Sequence, residues 1–130
     1  MLSQYLYIST APSLGRDEVD RILETSASKN PVSGITGLLL YNGRNFLQLL
    51  EGEEAELINL MVRITHDPRH SGVSMLDRRA IDKRACPRWA MRRVAIAQNV
   101  EKRRELLEAD LPAAIDPEVR RIILNFATLN

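Results

Sequence analysis

One stretch decides the fold: "GITGLLLYNGRNFLQLLEG", residues 34–52, in which two apolar runs flank Asn42 and Gly43. Asn-Gly between β-rich runs is the strongest short-range signal for a tight hairpin, so the stretch predicts two antiparallel strands. The second run carries a primary amide, Gln48, among leucines. If the loop has two residues, Gly37 of the first strand lies directly opposite Gln48.

A glutamine in such a run needs hydrogen-bond partners. A carboxamide has two donors and two acceptor sites, and each one left unpaired on burial costs ~1 to 3 kcal/mol. Alone, Gln48 is more often a sheet glutamine satisfied by backbone or water than a ligand contact. Gly37 shifts that balance towards a ligand, because a strand glycine often marks the close approach of another group. Tyr7, on the first strand, adds a phenol that needs a partner if it is buried.

Working outward, hydrophobic periodicity predicts the order βαββαββ followed by two helices. This order indicates an α+β fold of the ferredoxin-like type, with a mixed five-stranded sheet and the first two helices on one face. Asp116-Pro117 supplies the start of the last helix, a capping carboxylate followed by proline at the first helical position. The predicted strands are 4–10, the two arms of the hairpin, 73–82 and 88–97; the predicted helices are 16–29, 54–66, 100–108 and 117–127.

The second helix is expected to bury one stripe, and the other face of the sheet needs a cover. Strand alternation sends four leucines of the hairpin away from the side of Gln48, where they would form an exposed apolar patch. The last helix carries a matching apolar stripe, so the C-terminal helices are predicted to cover that face. The leucines are Leu38, Leu40, Leu47 and Leu49; the last helix offers Val119, Ile122, Ile123 and Phe126; the second helix offers Leu57, Ile58, Met61, Ile64 and Thr65.

Composition narrows the class of protein. The 130 residues suit one domain, and no apolar run reaches the roughly 18 residues of a membrane span. The first residues do not resemble a signal peptide, so a cytoplasmic location is expected and no membrane partner. The single cysteine, Cys86, excludes an internal disulfide and a Cys/His zinc cluster. A net charge of +1 gives no basic field, and the arginines between 78 and 93 are interpreted as solvated strand edges, so nucleic acid is not expected as a partner.

Catalytic patterns are weak in this sequence. No serine lies in a G-x-S-x-G elbow, and His66 and His70 fall in one polar loop without a paired nucleophile. Glu51 and Asp67 are not obviously paired. From the residues alone the chain is therefore a small-ligand-binding α+β domain and not an enzyme.

Five short motifs together resemble a known family. They are "LYIS" at 6–9, Asn30 four positions before "GITGLLLY", "FLQLLEG" at 46–52, "DPRH" at 67–70 and "RACPRWAM" at 84–91. Over about residues 3–97 the chain closely resembles a BLUF domain, a sensor of blue light using FAD. The resemblance implies a noncovalent flavin between the first two helices, with residues 1–97 as the flavin-binding domain and 98–130 as a C-terminal helical cap and output segment.

The resemblance also implies roles for individual residues. Tyr7 matches the electron and proton donor to the photoexcited flavin, and Gln48 the glutamine that links this phenol to the flavin. Trp89 and Met91 match a W-x-M pair whose place near the glutamine differs between accounts of the family. The remaining residues implied to contact FAD are Ile22, Leu23, Ser26, Lys29, Asn30, Phe46, Leu50, Arg63, Asp67, Arg69 and His70.

Two positions depart from the family pattern, and two other functions stay open. Cys86 stands where the family usually has an aromatic residue, and Lys29 where some members have asparagine or histidine. One alternative is an acylphosphatase-like hydrolase, although the expected glycine-rich anion loop is missing. The other is a flavin-binding relative that no longer signals. As a photoreceptor, the chain is expected to form a homo-oligomer and to signal to an unidentified downstream protein.

Overall fold

The computed structural model describes residues 1–10, 17–22, 24, 33–67, 71–89 and 91–129. Most predicted elements are present, with ends shifted by up to three residues. The first helix, α1, is described over 17–22. The other elements are β1 (Leu2–Thr10), β2 (Thr36–Tyr41), β3 (Asn45–Glu53), α2 (Glu54–Thr65), β4 (Ser71–Ala80), β5 (Arg92–Arg93), α3 (Arg103–Asp110) and α4 (Pro117–Leu129).

The described strands form one mixed sheet in the order β4-β1-β3-β2-β5. The pairs β4–β1, β1–β3 and β3–β2 are antiparallel, whereas β2 and β5 run parallel. The chain goes from β1 through α1 to β2 and leaves a gap that β3 fills, and α2 in the same way carries it from β3 past β1 to β4. This split βαβ arrangement confirms the predicted ferredoxin-like α+β fold.

The sheet separates two apolar cores. We call the face that carries Tyr7 and Gln48 the amide face, and the face that carries Leu47 and Leu49 the cap face. Side chains of α1 and α2 pack on the amide face, and those of α3 and α4 pack on the cap face, as predicted. The four hairpin leucines on the cap face are fully buried, which removes the patch that would otherwise meet water.

The hairpin loop is longer than predicted. Asn42 Oδ1 accepts hydrogen bonds from the backbone N–H of Arg44 at 3.0 Å and of Asn45 at 2.7 Å. Asn42 N–H in turn donates to the Asn45 carbonyl at 3.2 Å, and Gly43 takes φ +93°. Because the asparagine side chain satisfies two amides at once, it favours the three-residue loop 42–44 over the two-residue turn.

The longer loop moves the register of β2 against β3 by two residues. Gln48 lies opposite Leu39, and Gly37 lies opposite Leu50. The predicted pairing of Gly37 with Gln48 is therefore wrong. A shift of two residues keeps every side chain on its predicted face, since strand alternation has a period of two.

The last strand and the α2 stripe also differ from prediction. Instead of a strand over 88–97, β5 has two residues, because the backbone turns between Cys86 and Trp89, where Trp89 N–H donates to the Cys86 carbonyl at 3.4 Å. On α2, Ile58 is 44% exposed and Thr65 is also exposed, so neither belongs to the buried stripe. The stripe is narrower than expected and consists of Leu57, Leu60, Met61 and Ile64.

Candidate functional site

The centre of the amide face is a hydrogen-bonded pair on neighbouring strands. Tyr7 of β1 lies directly opposite Gln48 of β3 in the antiparallel register. The Tyr7 hydroxyl donates to Gln48 Oε1, and both side chains are almost completely buried. In this arrangement the Tyr7 hydroxyl donates, so the carbonyl end of the amide faces it as the acceptor.

The other end of the amide faces Met91. Gln48 Nε2 donates to Met91 Sδ at 3.4 Å, and the methionine is buried just before β5. A thioether sulfur is a weak acceptor that cannot donate. Tyr7, Gln48 and Met91 therefore form a directed chain that runs from phenol to carbonyl and from NH2 to sulfur.

Trp89 is placed differently from Met91. It is half-buried against the cap-face core, and the Arg92 guanidinium lies 4.5 Å from the centre of its ring. Its backbone carbonyl accepts a hydrogen bond from Gly37 N–H at 2.8 Å. In this structure Met91 is thus the member of the W-x-M pair that contacts the amide.

Gly37 has an explanation within the sheet. A Cβ at this position would lie 1.9 Å from the Leu49 carbonyl oxygen, so any side chain would force β2 away from β3. The close approach that this glycine allows is that of neighbouring backbone rather than a ligand. Gly37 is therefore not evidence for a ligand near Gln48.

The surroundings of Tyr7 hold its phenol neutral. Burial raises the pKa of Tyr7 well above its ordinary value, and the negative charge of Asp67, after the end of α2, raises it further. The phenol therefore stays protonated at ordinary pH. Its proton can leave only when another event, such as loss of an electron, lowers that pKa.

The residues around the hydrogen-bond chain of Tyr7, Gln48 and Met91 fit a flavin. Val19 and Ile22 of α1 and Leu57 and Met61 of α2 supply apolar walls above the sheet, as a planar aromatic ring requires. Among the described residues, the Gln48 NH2 group has only the Met91 sulfur as acceptor, so it can still donate to a ring carbonyl.

The predicted contact residues fall into three groups. Ile22, Phe46 and Leu50 are buried in the amide-face core, and Asp67 is half-buried. Arg63 is an exposed residue of α2 and is not brought into the cluster by the described contacts. Six predicted residues lie outside the described part of the chain: Leu23, Ser26, Lys29, Asn30, Arg69 and His70.

One buried polar residue was missed from the sequence. Glu51, at 0% exposure, accepts hydrogen bonds from Gln4 Nε2 and from the backbone N–H groups of Ala85 and Cys86. Its position was a usable signal, because alternation places Glu51 on the same face as the buried leucines Leu47 and Leu49. A carboxylate at a core position implies partners, and here they come from the segment that leads to Met91.

Comparison with known proteins gives this site its family. The model of BLUF, described as sensors of blue-light using FAD, matches residues 2–92. The chain belongs to the BLUF family. The membership confirms the resemblance drawn from the motifs. The family is one of sensors, so the acylphosphatase-like alternative is wrong for this BLUF domain.

Relatives and solved structures agree. The photoactivated adenylate cyclase subunit beta of Euglena longa is 36% identical over 92 residues, which cover 69% of this chain and 11% of that protein. The dark-state structure of BlrB, a BLUF protein, has 31% identity and a TM-score of 0.75, covering 96% of both chains. Klebsiella pneumoniae BlrP1 with FMN and cyclic diGMP has 31% identity and a TM-score of 0.83, covering 98% of this chain and 34% of that one. This BLUF domain thus spans about a tenth of the length of the cyclase subunit.

Among the described residues, no helix is both long enough and apolar enough to cross a bilayer.

Proposed function

We propose that this BLUF domain binds FAD noncovalently on the amide face, where Tyr7 and Gln48 convert absorption of blue light into a change at Met91. The observation that carries the proposal is the directed hydrogen-bond chain from the Tyr7 hydroxyl through Gln48 to the Met91 sulfur. The family description supports FAD as the flavin. The FMN in the BlrP1 structure makes release and identification of the bound flavin a necessary measurement.

Residues of α1 and β3 would hold the ring. Ile22, Phe46 and Leu50 supply apolar contact, and Gln48 NH2 supplies a donor to a ring carbonyl. By the family resemblance, Asn30 and Arg63 contact the ring edges, and Ser26 and Leu23 are further walls of the pocket. The other residues that the resemblance places around the flavin are Lys29, Asp67, Arg69 and His70.

A bound flavin would supply the group that absorbs blue light and, once excited, a one-electron oxidant for the Tyr7 phenol. Loss of that electron makes the phenol strongly acidic, and its proton is already directed at Gln48 Oε1. Tyr7 would therefore give its electron to that oxidant and its proton to Gln48 Oε1 together. When the electron returns, the proton returns to Tyr7, and the lasting change is the arrangement of Gln48.

The chemistry at the two ends of Gln48 makes that arrangement a two-state element. If the amide rotates by half a turn, or tautomerises, its oxygen no longer accepts from Tyr7 as before. In the rotated form Gln48 Oε1 faces Met91 Sδ, and neither atom can donate. The amide then loses its bond to Met91, so the methionine and the strand that follows it are released from the amide face.

The release gives a route to output. Met91 leads into β5, and Trp89 on the same segment packs against the cap-face core that includes α3 and α4. We propose that residues 98–130 carry the change as an output segment, while residues 1–97 form the sensor. The recipient is a second copy of the chain in a homo-oligomer or a downstream protein in the cytoplasm.

Substitution of Tyr7 by phenylalanine tests the assignment. The ring volume is kept, so FAD should remain bound, while the source of the electron and proton is removed. We expect no reversible light-induced shift of the flavin absorption in Tyr7→Phe. A protein that binds FAD but shows no shift even with Tyr7 present would instead be a flavin-binding relative that no longer signals.

A further inference from the structure

Glu51 is a carboxylate buried inside the sheet on the side away from the flavin site. It lies on the cap face of β3, three residues after Gln48, and its exposure is 0%. Strand alternation puts the two side chains on opposite faces of the same strand. A charge in such a place is costly unless hydrogen bonds replace the lost water.

The bonds to the carboxylate come mostly from one segment of backbone. Glu51 Oε1 accepts from the N–H of Cys86 at 2.7 Å, and Oε2 accepts from the N–H of Ala85 at 2.9 Å. Gln4 Nε2 adds a third bond at 2.9 Å. The preceding residue, Arg84, donates at 2.9 Å to the backbone carbonyl of Glu51. The segment 84–86 is therefore attached to Glu51 of β3 by three hydrogen bonds, two to its carboxylate and one to its backbone carbonyl.

This attachment lies at the start of the segment that positions Met91. After Cys86 the backbone turns and returns to the sheet at Trp89, whose carbonyl is bound by Gly37 N–H. Met91 follows two residues later and receives the bond from Gln48. Met91 itself lies between Trp89 and Arg92, which pairs with Leu38 of β2. Glu51 therefore fixes the start, and β2 the end, of the segment that leads to Met91.

We propose that Glu51 is a positioning residue for the light response. By binding two successive backbone amides it fixes the segment that carries Met91, and so it sets how well Met91 Sδ accepts from Gln48. This inference rests on the proposed function. It adds that one strand, β3, carries both the reorienting amide and the group that anchors the amide's partner.

The anchoring requires a carboxylate, because each of its two oxygens accepts from a different backbone N–H. In Glu51→Gln the side chain keeps its size but offers a single acceptor, and its NH2 would face one of the two backbone N–H groups. One amide of Ala85 or Cys86 then loses its bond. The matched control is Gln4→Met, which removes the third bond to the same carboxylate with similar volume and leaves both backbone bonds intact.

Trp89 provides a direct readout, because it is the single tryptophan of the chain. In the FAD-bound protein we expect Glu51→Gln to red-shift Trp89 emission and to raise its quenching by acrylamide. We also expect dark recovery of the light-induced flavin shift to slow about fivefold, the size expected for one hydrogen bond that must be regained. Gln4→Met should match the unchanged protein within about twofold in both measurements.

The outcomes are distinguishable. If Glu51→Gln binds FAD and matches Gln4→Met in both emission and recovery, Glu51 has no positioning role and the inference is overturned. If Glu51→Gln does not fold, Glu51→Asp decides, since it keeps both oxygens but retracts them: slowed recovery with shifted emission supports the inference, and values equal to Gln4→Met overturn it. Failure of the proposed function would appear separately, as absence of any light-induced shift in the unchanged protein, and Trp89 emission would still test the anchoring.

Discussion

Trp89 and Met91 are two residues apart, yet they pack into different cores on opposite sides of the sheet. In a regular strand, residues at i and i+2 share a face. Here Trp89 and Met91 both lie outside the regular strand β5, and the tryptophan meets the cap-face core while the methionine meets Gln48. Under the proposed function, a change in the Gln48 bond to Met91 would reach a segment that contacts both cores.

The first prediction concerns the sulfur of Met91. Met91→Leu keeps a similar volume and should cost less than about 1.5 kcal/mol of folding free energy. It removes the acceptor of Gln48 Nε2, so we expect a reversible flavin shift whose dark recovery rate differs several-fold from that of the unchanged protein. Met75→Leu, at a methionine that is 42% exposed on β4, is the control and should leave the recovery rate unchanged. Equal recovery in the two variants would show that the Met91 bond does not contribute.

The second prediction concerns the close approach of β2 and β3. Gly37→Ala places a Cβ 1.9 Å from the Leu49 carbonyl, so the strands must separate and we expect a loss of about 3 kcal/mol or more in the free energy of unfolding. Gly43→Ala is the control: no atom lies within 4 Å of its Cβ, and only the positive φ is strained, at a cost of about 1 kcal/mol. Urea denaturation measures both. A Gly37→Ala loss no larger than that of Gly43→Ala would contradict the close packing of the two strands at Gly37.

The third prediction concerns alkaline pH. Burial, followed by the charge of Glu51, raises the pKa of the Cys86 thiol to about 12. The folded protein therefore keeps a proton that the unfolded chain loses above about pH 8.5, so this stabilisation is complete below that pH and is lost as pH rises towards 12. The slope contributed by Cys86 approaches about 1.4 kcal/mol per pH unit.

Substitution of the thiol checks that slope. Cys86→Ala should flatten the dependence of unfolding free energy on pH between about 8.5 and 10. Above about pH 10 a decline should persist in both proteins, because the pKa of Tyr7 is also raised on folding. Identical slopes for the two proteins over that interval would show that Cys86 is not held neutral by the fold.

The faces of the sheet were predictable from the sequence, and the register was not. Strand alternation correctly assigned the four hairpin leucines to the face opposite Gln48. The register depended on whether Asn42 occupied a two-residue turn or bonded two amides with its side chain, and the Asn-Gly pair suits both. The helix start at Asp116 was predictable, because its carboxylate accepts from Glu118 N–H at 2.9 Å.

The site was predictable only in part, for reasons of tertiary structure. The resemblance of motifs identified Tyr7, Gln48 and Met91, which the fold brings together from three strands or their flanks. The different surroundings of Trp89 and Met91 arise from a turn with no periodic pattern, so alternation could not separate them. Alternation could have placed Glu51 in the core, but not its main partners, because backbone N–H groups more than 30 residues away leave no mark in a sequence.

The most direct test of the central claim is the visible spectrum of the FAD-bound protein before and after blue light, with and without the amide. In the unchanged protein we predict a small red shift of the flavin bands that reverses in the dark. In Gln48→Leu, which has a side chain of similar size without hydrogen-bonding groups, we predict bound FAD and no such shift. A Gln48→Leu protein that holds FAD and shows the same reversible red shift would contradict the account.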